Sequence, residues 1–392
     1  MKASHGSVKK VKDIIGREEE IQQIWNILEK QSVVIASLRR MGKTCILQKM
    51  AAQPVHGWKA VHYFVQGKKS PSEFVDGLYK LLIDIGITED KFIKLKKYYN
   101  KYFSGKSFGN FNAPEFKSHW KDLLEKIFED IAALHENNIL LMIDEFPMML
   151  WDFINDEKLI DESKELLDTL RKIREQYEGE TGIRFIFCGS IGMKVVLDKL
   201  NKKHNYVGEP INNMFKVNVL EMNHTDANLL CKHLYLTKYK TKNKEKLFNY
   251  IGDNTNHLPF FIDHVFTKIQ SLVITEISNN NIDDIIDDLI NDPNNNSEFD
   301  HFHKRIKTYY PKNEEKLALE ILDILCKYQD SISEDEIWNL LKASDDIDRR
   351  FTKEVLKQLF EDLYLTRTLK DDNRYYAFRY ELLRKWWRLN YA

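Results

Sequence analysis

Two short clusters carry residue types suited to phosphate and metal chemistry. The first is SLRRMGKT, residues 37–44. A lysine followed by a hydroxyl, entering a helix after a strand, can hold a nucleotide. Lys43 would reach the β- and γ-phosphates of ATP, and the Thr44 hydroxyl would ligate Mg²⁺. Gly42 lets the backbone approach phosphate without a Cβ in the way. The backbone N–H groups of Ser37, Arg39, Arg40, Met41, Gly42 and Cys45 would help wrap the phosphates, aided by the partial positive charge of the helix N-terminus. The pattern G-x-x-x-x-G-K-[ST] is met except at its first position, where Ser37 stands for glycine. Serine is small, and a turn with negative φ accepts it, so a modest strain is expected there and not a dead site.

The second cluster closes the apolar run ILLMIDEF, residues 139–146. Asp144 at the tip of such a strand can hold the water shell of a nucleotide-bound Mg²⁺. Glu145 then sits where a base can polarise an attacking water. A third run, FIFCGS, ends in Ser190. That hydroxyl either touches the γ-phosphate or the water, or simply belongs to a turn. Lys43, Glu145 and Ser190 are the candidate catalytic residues; Thr44 and Asp144 are the candidate metal holders.

The elements around these clusters alternate. Strands are expected at 33–37, 59–66, 139–146, 183–190 and 214–222, with helices at 45–53, 71–86, 115–136 and 166–178 between them. The strand runs are apolar without alternation, which belongs to a parallel sheet covered on both faces. From about residue 223 the pattern becomes helical. The stretch 278–300, rich in Asn and Asp, reads as a domain junction. Helices near 313–328, 333–342 and 352–363 precede two strands around a turn at KDDN, and a last helix closes the chain. That order is the order of a winged helix. The fold class expected is α/β: a P-loop NTPase parallel sheet, a helical lid and a C-terminal winged-helix domain, with boundaries 1–222, 223–300 and 301–392.

Composition narrows the setting. A chain of 392 residues suggests two or three domains. A net charge of −1 gives no global basic field, so any nucleic-acid contact must be local. The four cysteines are far apart and form no C-x-x-C pair, which argues against a zinc site or a disulfide framework and for a reduced, cytoplasmic setting. The first ten residues have no apolar core of a signal peptide, and no stretch is long and apolar enough for a membrane span. His301 and His303 have metal-like spacing but no third ligand nearby, and read as a core or exposed pair.

IIGREEEIQQIWNIL, LRRMGKT, LLMIDEFPMML and FIFCGS, in this order, resemble the STAND-type P-loop ATPases, and more closely the archaeal and bacterial ATPase family related to AAA+ proteins. LPFF (258–261) resembles that class's lid motif, and YYAFRYELLRKWWRLNY (375–391) resembles the family's winged-helix ending. The resemblance implies that Ile14, Ile15, Gly16 and Arg17 lie near the adenine and that Pro259 packs on the base or sugar. Two positions depart from the family: His257 stands for the glycine two residues before the lid proline, and Glu209 for an arginine that senses the γ-phosphate. Arg39 and Arg40 could reach phosphate, contact a neighbouring subunit or lie in solvent.

ATP and Mg²⁺ are thus the expected ligands. The leading expectation is an ATPase acting as a nucleotide-dependent switch on a protein partner or a homo-oligomer, slowed by the departures at Ser37, Glu209 and His257. A DNA-binding ATPase is the alternative. Arg367, Lys370, Arg374, Arg379, Arg384, Lys385 and Arg388, interleaved with Tyr375, Tyr376, Trp386 and Trp387, could bind a phosphate backbone, or could be a core with a solvated face. A scaffold that binds ATP without turnover is the third.

Overall fold

The computed structural model describes residues 10–86, 98–100, 119–133, 138–179, 182–291, 297–342 and 348–392. The outer ends of the helix expected over 115–136, and most of the N-terminal segment, lie outside the described residues. By its packing the chain forms two compact units. A sheet unit comprises Glu18–Ala36 and Lys43–Val219, and a helical unit comprises Met1–Arg17, Ser37–Gly42 and Leu220–Ala392.

The sheet unit holds β1 (Val33–Ala36), β2 (Trp58–Phe64), β3 (Asn138–Asp144), β4 (Ile183–Gly189) and β5 (Phe215–Asn218). They form one five-stranded sheet in the order β2-β3-β4-β1-β5, and every pairing is parallel. Residues of β4 are buried throughout, and those of β3 are buried after Asn138. Each peptide unit on these strands finds its ladder partner within the sheet, so long apolar runs can be buried without orphaned backbone groups. β5 differs from the buried strand expected at 214–222. It is a short edge strand, and Phe215, Lys216 and Asn218 are exposed.

Register fixes which residues share the carboxyl edge. Ala36 pairs with Gly189, Asp144 with Cys188, and Phe64 with Asp144. β4 lies between β1 and β3, so the strand bearing Asp144 is one place removed from the strand that leads into the loop. The carboxyl edge of such a sheet is where ligands bind in open α/β folds.

Helices α1 (Glu18–Leu28), α2 (Lys43–Ala52), α3 (Pro71–Asp84), α4 (Trp120–Ala132), α5 (Phe146–Ile154), α6 (Ile160–Tyr177) and α7 (Met193–His204) belong to this unit. The expected strand 139–146 ends two residues early. Glu145 turns left-handed at φ 60°, and α5 begins at once with Pro147 in its first turn. Neither α5 nor α7 follows from the apolar pattern read above, because α5 is apolar on nearly every face and looks like a continuation of the strand.

The helical unit begins with α8 (His224–Leu234), α9 (Lys244–Asn254) and α10 (Pro259–Ser271). The Asn- and Asp-rich stretch then carries α11 (Asn279–Asn291), not an open loop. Ile282, Ile285, Ile286, Leu289 and Ile290 recur at helical spacing and are buried. After α12 (Ser297–Tyr309) come α13 (Lys312–Leu325), β6 (Ile332–Ser333), α14 (Glu334–Lys342), α15 (Arg349–Glu361), β7 (Leu365–Lys370), β8 (Asn373–Phe378) and α16 (Glu381–Tyr391). β6, β8 and β7 form a small antiparallel sheet. Its hairpin turns at Asp371 and Asp372, with φ 48° and 60°, the two consecutive left-handed residues that a tight hairpin requires.

Candidate nucleotide and metal site

In the sheet unit, α2 starts at Lys43, directly after the glycine of the loop, and presents Thr44 in its first turn. The Thr44 hydroxyl donates to Asp144 Oδ2 at 2.8 Å. The same oxygen lies 3.2 Å from His62 Nε2, on β2. Asp144 is fully buried, and among the described residues no N–H or O–H reaches its Oδ1. A buried carboxylate oxygen without a donor is costly unless a cation or ordered water completes it. The neighbouring Cys188 thiol, its pKa pushed well up by burial and then by the negative charge of Asp144, stays protonated and is a weak donor beside this carboxylate. The donor set of one hydroxyl and one open carboxylate oxygen suits a hard divalent cation such as Mg²⁺. Among the described residues no group of three or more His, Cys, Asp or Glu is gathered as a metal cluster.

Glu145 and Ser190 meet at the carboxyl edge. Glu145 Oε2 accepts the Ser190 backbone N–H at 3.0 Å and the Ser190 hydroxyl at 2.8 Å. Ser190 follows β4, so the strand inserted between β1 and β3 supplies the group that fixes the glutamate. The partner of the Ser190 hydroxyl is thus Glu145, a contact that neither reading of the sequence named. Lys43 is buried at 6 % exposure, close enough to Cys188 for its charge to oppose that thiol's upward shift. Cys45 is half-buried on α2.

The remaining loop residues, Ser37, Arg39, Arg40, Met41 and Gly42, pack with the helical unit. The loop's left-handed positions are Arg40 at φ 72° and Gly42 at φ 87°; Ser37 is not among them. Its hydroxyl donates to the Leu38 carbonyl at 3.0 Å. The missing first glycine therefore costs the backbone little. The strained residue is Arg40, whose guanidinium lies 4.5 Å from the centre of the Phe260 ring. Arg39 reaches His301 Nδ1 at 3.3 Å. A methyl group on Gly42 would stand 4.0 Å from the Pro259 ring, an ordinary contact, so φ and not space reserves that position for glycine.

Arg17 is the principal support of this loop. Its guanidinium is buried and donates to the carbonyls of Met41 at 3.0 Å, Leu220 at 2.9 Å and Glu221 at 3.3 Å. Its own N–H donates to Asp226 at 2.8 Å. Gly16 precedes it with φ 74°, and any Cβ there would fall 2.7 Å from Asp226. Ile15 is half-buried beside them. The guanidinium thus spends its donors on backbone carbonyls, one of them in the loop. Tyr380 adds to the same place: its hydroxyl donates to Glu221 at 2.9 Å and lies 3.9 Å from the Met41 sulfur. Burial, then the Glu221 charge, raise its pKa strongly.

His257, at the position where the resemblance expects glycine, adopts φ 54°. The backbone keeps the conformation for which glycine is ordinary, although the side chain differs. Glu209 is exposed on the surface of the sheet unit. His62, Asp226 and Tyr380 were not legible as site residues. A single histidine inside a strand carries no motif, and only the β2–β3 register shows what it faces.

The match to known folds follows from this topology. The chain aligns with the solved structure of a Walker-type ATPase of Pyrococcus abyssi at a TM-score of 0.60 and 13 % identity, covering 96 % of this chain and 97 % of that one. The fold is that of a P-loop NTPase with a helical lid. Two other solved structures align at TM-scores below the level at which a shared fold follows. They are the ORC2 protein of Aeropyrum pernix in ADPNP and ADP complexes, at TM-score 0.46 and 11 % identity over 98 % of this chain and 97 % of that one, and Cdc6p of Pyrobaculum aerophilum, at 0.44 and 13 % over 96 % and 93 %. No family model and no curated protein matches the sequence. Among the described residues no helix is long and apolar enough to cross a membrane.

Proposed function

We propose that the chain is a Mg²⁺-dependent ATPase that turns over slowly and acts as a nucleotide-dependent switch on a protein partner or a second copy of itself. The observation that carries this reading is the Thr44–Asp144 pair with its open, buried Oδ1. Thr44 and Asp144 would hold the cation, which when bound neutralises charge on the β- and γ-phosphates. Lys43 would take the phosphate oxygens. Glu145 would polarise a water. The water oxygen attacks the γ-phosphorus, the bond to the bridging oxygen breaks, ADP leaves, and the water's proton passes to Glu145 or a phosphate oxygen. Ser190 keeps the Glu145 carboxylate in one place.

The switch reading draws on the helical unit. Arg17, Arg40 and Tyr380 tie loop residues to three different parts of it: the N-terminal segment, the start of α10 and the approach to α16. A loop that rearranges around ATP and ADP would bias those contacts differently, which is a population shift. We take 1–222 as the ATPase domain, 223–300 as the lid and linker, and 301–392 as a winged helix, on the order α13–β6–α14–α15–β7–β8.

Binding of duplex DNA by this C-terminal part is less well supported. Tyr376, Trp386 and Trp387 are core, and Arg384 is buried against the Cys326 carbonyl and Glu381. Arg367, Lys370, Arg374, Lys385 and Arg388 remain exposed. The test is ATP binding by calorimetry in Mg²⁺ and in EDTA, with phosphate release with and without duplex DNA. The switch reading expects Mg²⁺-dependent binding and release indifferent to DNA. DNA stimulation that falls with salt would transfer support to the alternative, and tight binding with no release would leave a scaffold.

A further inference from the structure

We propose that His62 is a positioning residue for the divalent cation: by donating to Asp144 Oδ2 it leaves Oδ1 as the oxygen offered to the metal. The proposal rests on the reading of Thr44 and Asp144 as cation holders. A carboxylate oxygen can only accept, so His62 Nε2 carries the proton in the 3.2 Å contact. Oδ2 also accepts from Thr44 at 2.8 Å. With one donor, the carboxylate could rotate about its terminal torsion, which is broad and roughly two-fold, and exchange its oxygens. Two donors arriving from different elements, β2 and α2, fix the plane of the group. The consequence is visible in the carboxylate itself: Oδ2 is doubly engaged, and Oδ1 is buried without an N–H or O–H partner among the described residues.

His62 takes its position from strand register. It lies two residues before Phe64, the register partner of Asp144, so its side chain shares the face on which Asp144 projects. The His62 side chain is only 15 % exposed, whereas Phe64 is 49 % exposed. A hydrogen-bonded neighbour of this kind changes metal affinity by about 10- to 100-fold when it is lost.

The test uses the full chain and Mn²⁺ as a paramagnetic probe. Free Mn²⁺ is titrated by electron paramagnetic resonance in the presence of ADP, for the parent, His62→Phe, His62→Gln and Thr44→Ala, with ADP affinity in EDTA measured in parallel. His62→Phe is expected to bind Mn²⁺ about tenfold more weakly than the parent. His62→Gln, whose amide can donate to the same oxygen, should return to within about threefold of the parent, a difference within about one neutral hydrogen bond. ADP affinity in EDTA should be the same for the parent and both His62 variants. Equal Mn²⁺ affinity in parent and His62→Phe overturns the proposal while leaving the cation site intact, and so does a His62→Gln as weak as His62→Phe. A parent that binds Mn²⁺ no better than Thr44→Ala removes the cation-site reading, and the proposal with it.

Discussion

Thr44 Oγ1 and Asp144 Oδ2 stand 2.8 Å apart, although one hundred residues separate them in sequence. The hydroxyl proton points at the carboxylate, so the hydroxyl's lone pairs remain for a cation. Asp144→Asn and Thr44→Ala are each expected to weaken ATP binding in Mg²⁺ by about 10- to 100-fold, the worth of one charge-assisted contact. Both should leave binding in EDTA unchanged. Calorimetry with and without chelator makes the comparison.

Glu145 is held by two donors from Ser190. Glu145→Gln keeps the shape of the side chain and loses its basicity. It should bind ATP as the parent does and lower phosphate release by about 10²- to 10⁴-fold. Ser190→Ala removes only the hydroxyl donor and keeps the backbone one. Its release rate should fall by about three- to tenfold, as expected for one hydrogen bond of ordinary strength.

Arg17 closes three carbonyls that lie in two stretches of the chain. Arg17→Ala would leave them without a donor in a buried place and is expected to destabilise the protein by about 2–4 kcal/mol. Arg17→Lys, a point donor in place of a fork, should recover only part of that. Thermal unfolding of the two variants beside the parent reads the difference.

Ser37 and Gly42 should respond in opposite ways. Gly42→Ala places a Cβ on a residue at φ 87°, which costs about 1–3 kcal/mol of strain in the loop, so nucleotide affinity should drop. Ser37→Gly restores the usual residue of the motif where no left-handed φ calls for it. It should lower stability by about 0.4–1 kcal/mol through the freer unfolded chain, with no gain in turnover.

Those two residues also show what the sequence could disclose. The chemistry-bearing types at 43, 44, 144 and 145, and the strands leading to them, were readable because buried parallel strands demand unbroken apolar runs. The parallel sheet follows from the same runs. α5 was hidden for the same reason: an all-apolar helix directly after an apolar strand has no change of pattern to mark the boundary, and only the left-handed Glu145 makes the break. α11 was masked by composition, since its Asn and Asp residues cover a face opposite five buried aliphatic ones. Arg17, which the resemblance puts near the adenine, has its guanidinium on backbone carbonyls, and His62 depends on register between strands whose connection exceeds seventy residues. Neither relationship is local, so no short motif encodes it. His257 teaches the converse: the glycine expected there is absent, yet the backbone turns as a glycine would.

The central claim, that ATP is held by Lys43, Thr44 and Asp144 and cleaved with the help of Glu145, is tested most directly by steady-state phosphate release from the purified chain beside Lys43→Ala and Glu145→Gln. The account expects Mg²⁺-dependent release by the parent at a rate below about 1 s⁻¹, the lower edge of ordinary enzyme turnover, loss of ATP binding in Lys43→Ala, and binding without release in Glu145→Gln. Release by Lys43→Ala at the parent's rate would contradict it.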